Sequence, residues 1–454
     1  MASNVFDSTL LRHLWGTDEL RRIFSDEARV QRWFDLEAAL ALEQAALGIV
    51  PDAAAQDIAA HARVENVDLE IVAEGIRKTK HPLVPALREL QKRCRPEHGE
   101  WIHFGPTTQD VLDTATALQL KATHAIVLRD LAAIGRELYR LADTHKRTAM
   151  VGRTHVVHAL PITFGHKCAI WLRELARHHE RFVQAAPRVL VGGLVGAVGT
   201  QASFGSQAAE LEARVMKRLG LGCADISWQP ARDRFAEYGT LLGLLGATIA
   251  KIANEILNLA RTELGELEEP FNEGKVGSST MPHKRNPTVV ENVVTVGRAL
   301  RHAVGLATES MQHEHERDGA GWKMEWKALP ECCLMVGVML AQIKFVLEGL
   351  VVHADVMRRN LDMTRGYILS ERVMFALAEK LGKQTAHEVV YEASMHGQTH
   401  GLSLEEALRA DPRVRDALSP AALAAVLDPT TYVGLAPEIV ERALAATKAE
   451  GWLG

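Results

Sequence analysis

The sequence predicts an all-α chain built around a bundle of long helices. Three features carry that expectation. Apolar residues recur with helical spacing over long stretches, the alternation that a half-buried strand needs is scarce, and Pro161 and Pro287 suit the first turns of two long segments. The clearest segment covers residues 237–268. There Leu242, Ile249 and Ile256 recur every seven residues, as do Leu245, Ile252 and Leu259, and the two series draw one apolar seam along a helix. A helix of about 30 residues spans roughly 45 Å, more than a small domain needs. Gly243 and Gly246, beside the seam, leave room for close approach of a neighbouring helix.

Further long helices are expected over 111–146, 161–185, 287–312 and 331–350. Helices of this length bury best against one another in a bundle. One chain alone would leave apolar stripes exposed, so a homo-oligomer is expected. Shorter helices fill residues 1–110, and beyond residue 356 turns at Pro412, Pro420, Pro429 and Gly434 separate short ones. The expected domains are therefore 1–110, a long-helix bundle over 111–355, and a small helical domain over 356–454.

The 454 residues are 47% hydrophobic and 24% charged, a globular rather than a disordered composition. Net charge is −5 without a basic face, which argues against a nucleic-acid partner. The five cysteines (94, 168, 223, 332 and 333) show no C-x-x-C spacing. Neither a disulfide framework nor a zinc site is indicated, and a reducing cytoplasm is expected. Residues 1–16 lack a basic start followed by an apolar stretch, so no secretory signal is expected. The longest strongly apolar run, 332–343, is cut short by Lys344 and Glu348 and reads as a buried helix, not a membrane span.

Chemistry concentrates between two long helices, in the stretch 274–287. Gly274 and Gly277 loosen the backbone, Ser278 and Ser279 supply hydroxyls, and Met281 and two prolines surround His283, Lys284, Arg285 and Asn286. Cations, an amide and a hydroxyl just before a helix N-terminus make a carboxylate-binding composition. A surface connection is the ordinary reading of a Gly/Ser loop, but it leaves this density of functional side chains unexplained.

Gly277-Ser-Ser-Thr-Met-Pro-His-Lys-Arg-Asn-Pro287 resembles the signature loop of the fumarase/aspartase superfamily. Two further segments occur in that family's order. His103-Phe-Gly-Pro-Thr-Thr-Gln-Asp110 is similar to H-x-G-x-T-S-x-D, and Gly152-Arg-Thr-His155 through Gly165 is similar to G-R-T-H-x-x-x-A-x-P-x-T-x-G. The resemblance covers nearly the whole chain. It implies a three-domain fumarase/aspartase-like fold, a central helix bundle that forms a homotetramer, and sites shared among subunits. It also implies β-elimination from a small di- or tricarboxylate through an aci-carboxylate intermediate, with no metal and no cofactor.

Proton removal next to a carboxylate needs a base, then fixed positive charge where the dianion develops. By resemblance Ser278 is the base, and Lys284 and Asn286 hold the substrate carboxylate and the intermediate. His155 maps to the general acid that protonates the leaving group, a role suited to a group titrating near neutrality. Thr107 and Thr108 would donate to the second carboxylate, and His81 and His103 map to further active-site histidines. His158 and His283 are weaker candidates. Arg317 is expected to bind a carboxylate. The histidines of His313-Glu-His-Glu316 do not share a helix face, which argues against a metal there.

Two departures disfavour the adenylosuccinate lyase branch. Val289 stands where that branch has a phosphate-binding arginine, and Trp322 and Trp326 replace a serine and an arginine. Each lost charge-assisted bond costs about 1.5–3 kcal/mol. The stretch from Glu314 to Glu331, Trp228 with its surroundings, and the stretch 357–366 instead resemble the 3-carboxy-cis,cis-muconate cycloisomerase branch. Bacterial cycloisomerases, however, usually carry tryptophan at the place of His155. A cycloisomerase scaffold with a lyase-type site is the resulting expectation. It would cleave a C–N or C–O bond in a small succinate derivative to give fumarate or a substituted fumarate, with lactonisation as the alternative.

Overall fold

In a computed structural model of the chain, residues 3–271 and 280–454 are described. Among them, six helices exceed 20 residues. They are α1 (Asp26–Ala46), α2 (Thr108–Thr144), α3 (Phe164–Val189), α4 (Asp233–Leu259), α5 (Thr288–Glu309) and α6 (Gly319–Glu348). The all-α expectation holds. The principal strands, β1 (Ala149–Thr154) and β2 (Val157–Thr163), form one antiparallel hairpin with a register shift between Val151 and Arg153.

The chain divides into two compact units. One comprises Met1–Leu131, His178–Ala250 and Asn292–Gln342; the other comprises Ala132–Arg177, Lys251–Glu291 and Ile343–Gly454. In the first, the expected seam of α4 is buried at Leu242, Leu245 and Ile249. The two glycines beside it do what their size suggests. A Cβ on Gly246 would meet Leu300 of α5 at 2.2 Å, and one on Gly243 would meet Val304 at 2.9 Å, so α4 and α5 cross on glycine. In the second unit, helices Ser370–Leu381, Lys383–His400 and Leu404–Ala410 share a core that includes Val373, Leu377, Val389 and Leu408.

Helix ends depart from the expectations for physical reasons. Pro161 lies in β2 opposite Val151 rather than opening α3, which starts at Phe164. α4 stops at Leu259, not 268; Gly265 takes φ +60°, and Leu267–Glu268 pairs with Val351–Val352. α6 begins at Gly319, twelve residues before the expected 331, because Asp318 caps it by accepting the Ala320 and Gly321 N–H groups at 2.9 Å. Pro330 is tolerated inside the helix, at the cost of one backbone hydrogen bond. α4 and α6 each contain an 18-residue window apolar enough to cross a membrane, and 50% and 67% of those windows is buried, as in core helices.

Candidate active site

The first unit assembles five of the expected residues around the N-terminus of α2. Thr107 and Thr108 open this 37-residue helix, where unsatisfied N–H groups and the helix dipole favour an anion. Asp110 locks the start in place. Its carboxylate accepts the N–H groups of Thr107 at 3.0 Å, Val195 at 3.2 Å and Gly196 at 3.0 Å, and the Gln229 amide at 3.2 Å. Burial pushes the Asp110 pKa up to about 6, against three backbone donors that favour the charged form. Asp110 is thus a cap, and it leaves both threonine hydroxyls for other partners.

Those partners are basic side chains. Arg317 Nη1 donates to Thr107 Oγ1 at 2.7 Å, and His81 Nε2 lies 3.2 Å from Thr108 Oγ1. His81 Nδ1 accepts the Val84 N–H at 3.2 Å, so the ring proton sits on Nε2 and points at Thr108. Burial lowers the His81 pKa, and the nearby His103 lowers it further. His103 is the opposite case. Burial works against charge on its ring, but Glu37 outweighs burial, and the pKa is raised. Glu37, 1% exposed, accepts the His103 ring Nδ1–H at 2.7 Å and its backbone N–H at 3.0 Å. This double grip holds His103 at φ +60°, a conformation that side-chain-bearing residues rarely adopt. Two imidazoles, one of them held toward its charged form by Glu37, a guanidinium and two hydroxyls around a helix N-terminus make a composition suited to a carboxylate.

Glu37 was not among the expected residues. Its signal was a carboxylate flanked by Trp33, Phe34, Leu36 and Leu40 on the buried face of α1. A buried acid needs a cationic partner.

The second unit carries His155, Lys284 and Asn286. His155 and Val156 form the two-residue turn of the β1–β2 hairpin, with φ of +50° and +66° as a type I′ turn requires. The tip is fully presented, with Val156 92% exposed. Two residues before it, Arg153 Nη1 and Nη2 donate to the buried Glu266 carboxylate at 3.1 and 2.6 Å, and Asn360 donates to the same group at 2.8 Å. The exposed turn therefore stands on a buried ionic anchor.

Ser278 lies outside the described residues. Six residues after it, Lys284 is exposed, and Asn286 lines a cleft of about 200 Å³ with His283, Arg285, Glu269 and His353. Arg285 donates to Glu268 at 2.9 Å and stacks over Phe271. The α5 N-terminus, expected to attract a substrate anion, already holds one. The Glu269 carboxylate accepts the Val289 N–H at 3.2 Å and the Val290 N–H at 3.1 Å. The first-turn N–H groups of Val289 and Val290 are therefore taken. Of the two tryptophans read as replacing phosphate contacts, Trp322 is buried and donates to Asp113 at 2.8 Å, and Trp326 is half-exposed beside it. Trp228 is a core residue under Arg232.

Comparison with known proteins bears on this geometry. The family model described as "Lyase" matches residues 14–301, and that described as "Adenylosuccinate lyase C-terminus" matches residues 366–443. The chain is 45% identical over 453 residues to N-acetyl-S-(2-succino)cysteine lyase of Dickeya dadantii, covering 100% of both chains. It is 42% identical to adenylosuccinate lyase of Pyrococcus abyssi, covering 94% of this chain and 95% of that one. The solved 3-carboxy-cis,cis-muconate lactonizing enzyme of Pseudomonas putida superposes with a TM-score of 0.93 at 34% identity, covering 98% of this chain and 100% of that one. The expected mixture of cycloisomerase-like and adenylosuccinate-lyase-like character is present in these relatives, and the chain belongs to the lyase family of the fumarase/aspartase superfamily.

Proposed function

We propose that this enzyme cleaves the C–S bond of an S-(2-succino) thioether, releasing fumarate and a thiol. The observation that carries the reading is the 45% identity, along the whole chain, to a lyase acting on such a thioether. Sulfur takes the place of the nitrogen or oxygen expected from the sequence, and the succinate half is unchanged. Ser278 removes the proton from the succinate carbon next to the carbon bearing sulfur. The electron pair moves onto the adjoining carboxylate, giving the aci-carboxylate dianion, which Lys284 and Asn286 stabilise. Collapse of that dianion forms the fumarate double bond and expels the thiolate. His155 protonates the thiolate as it leaves. The other carboxylate is held by Thr107, Thr108, Arg317 and the His103 imidazolium, whose charge Glu37 maintains.

The reading includes a homotetramer with sites shared among subunits. An exposed His155 turn on a rigid anchor and apolar side chains exposed on α3 and α4, such as Ile170, Val183 and Leu244, support it. The test is incubation of purified protein with N-acetyl-S-(2-succino)cysteine, measuring fumarate by absorbance and thiol by a chromogenic reagent. Equimolar fumarate and thiol are expected. Absence of both, with turnover of 3-carboxy-cis,cis-muconate instead, would transfer the protein to lactonisation, the reading that the P. putida likeness favours.

A further inference from the structure

A cavity of about 230 Å³ lies within the first unit, and two of the segments that line it also carry residues of the carboxylate subsite. Thr108, Leu112, Ala115, Thr116 and Gln119 follow one another at helical spacing on one face of α2; Thr108 belongs to the subsite, and the other four line the cavity. The same continuity holds on a second element. His81 reaches Thr108 with its ring, and the next residue, Pro82, is cavity lining. Trp33 of α1 and Trp326, Leu329 and Pro330 of α6 complete the walls.

The walls are mostly apolar, and one of them is braced. Trp326 meets Trp322 edge to face with ring centroids 4.9 Å apart, and Trp322 is pinned by its bond to Asp113. Asp113 and Glu325 border the cavity, but both carboxylates are turned into Arg232, at 2.6 and 2.8 Å. Arg29, also in the lining, is paired with Asp26 at 3.0 Å. Two acids against one buried Arg232 leave nothing in that triad to attract an anion. The volume suits one ring or a short chain, since a dry apolar cavity of about 150 Å³ already holds benzene.

We infer that this cavity takes an uncharged, apolar substituent of the leaving group, such as an acyl chain of a few carbons or a single aromatic ring, and that Trp326 sets that preference. The inference rests on the elimination reading for the identity of the succinate half. It is tested by binding as well as by turnover. In the intact Ser278→Ala protein, calorimetry measures Kd for S-(2-succino)cysteine with its amine free, acetylated, hexanoylated or benzoylated. The benzoyl and hexanoyl compounds should bind at least about tenfold more tightly than the acetyl compound, since each buried methylene is worth about fourfold. The free amine should bind most weakly. Trp326→Ala should remove most of the benzoyl advantage, and Thr116→Phe, which fills the cavity, should make the benzoyl compound the weaker ligand. Equal Kd values across the series, or both substitutions weakening all ligands by one common factor, overturn the cavity assignment. Failure of the elimination reading shows elsewhere, as absence of fumarate from these compounds with wild-type protein, and leaves the binding order to decide on the cavity.

Discussion

Replacing Glu37 with Gln probes how the subsite keeps one of its histidines charged. Glu37 accepts both the backbone N–H and the ring Nδ1–H of His103, at 3.0 and 2.7 Å. A glutamine can keep only one of these. With its carbonyl on the backbone N–H, its NH₂ faces Nδ1, which must then accept, and the ring becomes the neutral Nε2–H tautomer. A charge-assisted bond worth about 1.5–3 kcal/mol is exchanged for a neutral one worth about 0.5–1.5 kcal/mol, a net loss of about 1–2 kcal/mol. The sign with pH follows from the raised pKa of His103. Burial lowers it, Glu37 more than restores it, and the extra stability is present in full below the ordinary value of 6.5 and is lost as pH rises through the folded value. Urea unfolding of wild type and E37Q across that window should show the gap closing as pH rises. Fumarate release should fall about tenfold in kcat/KM at low pH, because the substrate carboxylate loses a cation. A stability gap constant in pH, or a His103 ring whose NMR titration does not move down in E37Q, would refute the assignment of Glu37 as the group that holds the charge.

Other outcomes follow from the same geometry. A thiolate leaves more readily than an amine, since a thiol ionises near pH 8.5; His155→Gln should therefore slow thioether cleavage by about tenfold but an amine-leaving analogue by about a hundredfold or more, within the usual range for general acids. Equal losses for both substrates would remove His155 from the leaving-group side. Mixing Ser278→Ala and His155→Gln proteins after mild dissociation should raise turnover of the amine-leaving analogue above that of His155→Gln alone if sites are shared, and no rise argues for sites within one chain. Val156 holds φ +66° at an exposed turn, a conformation that costs a side-chain-bearing residue about 1–2 kcal/mol, so Val156→Gly should leave Tm unchanged or raise it despite the greater chain entropy of glycine. A lowered Tm in calorimetry contradicts that strain.

Long-helix architecture was legible because it is written in local periodicity. The seam of α4 follows from residues seven apart, and the need for Gly243 and Gly246 follows from their place beside it. Helix ends were less legible, because they depend on partners distant in sequence. Nothing near Pro161 announces that Val151 will pair with it, and the end of α4 is fixed by a strand partner at Val351–Val352. The start of α6 did have a local signal in Asp318, whose side chain caps Ala320 and Gly321.

The candidate site divides along the same line. His81, His103, Thr107, Thr108 and Arg317 could be named from motif order, yet their pairing could not, since it joins positions up to 210 residues apart. Glu37 and Glu269 show what motif order leaves out. Both are carboxylates that act on another group: Glu37 sets the charge of a histidine, and Glu269 caps a helix that the sequence alone left open to substrate. The second changes the chemistry. With the N–H groups of Val289 and Val290 occupied, the proposed dianion would be met by Lys284 and side chains that can approach it rather than by this helix terminus. Stabilisation then depends on where those side chains stand when proton transfer begins. Lys284→Met should consequently lower kcat much more than it raises KM, and a change confined to KM would return the role to the backbone.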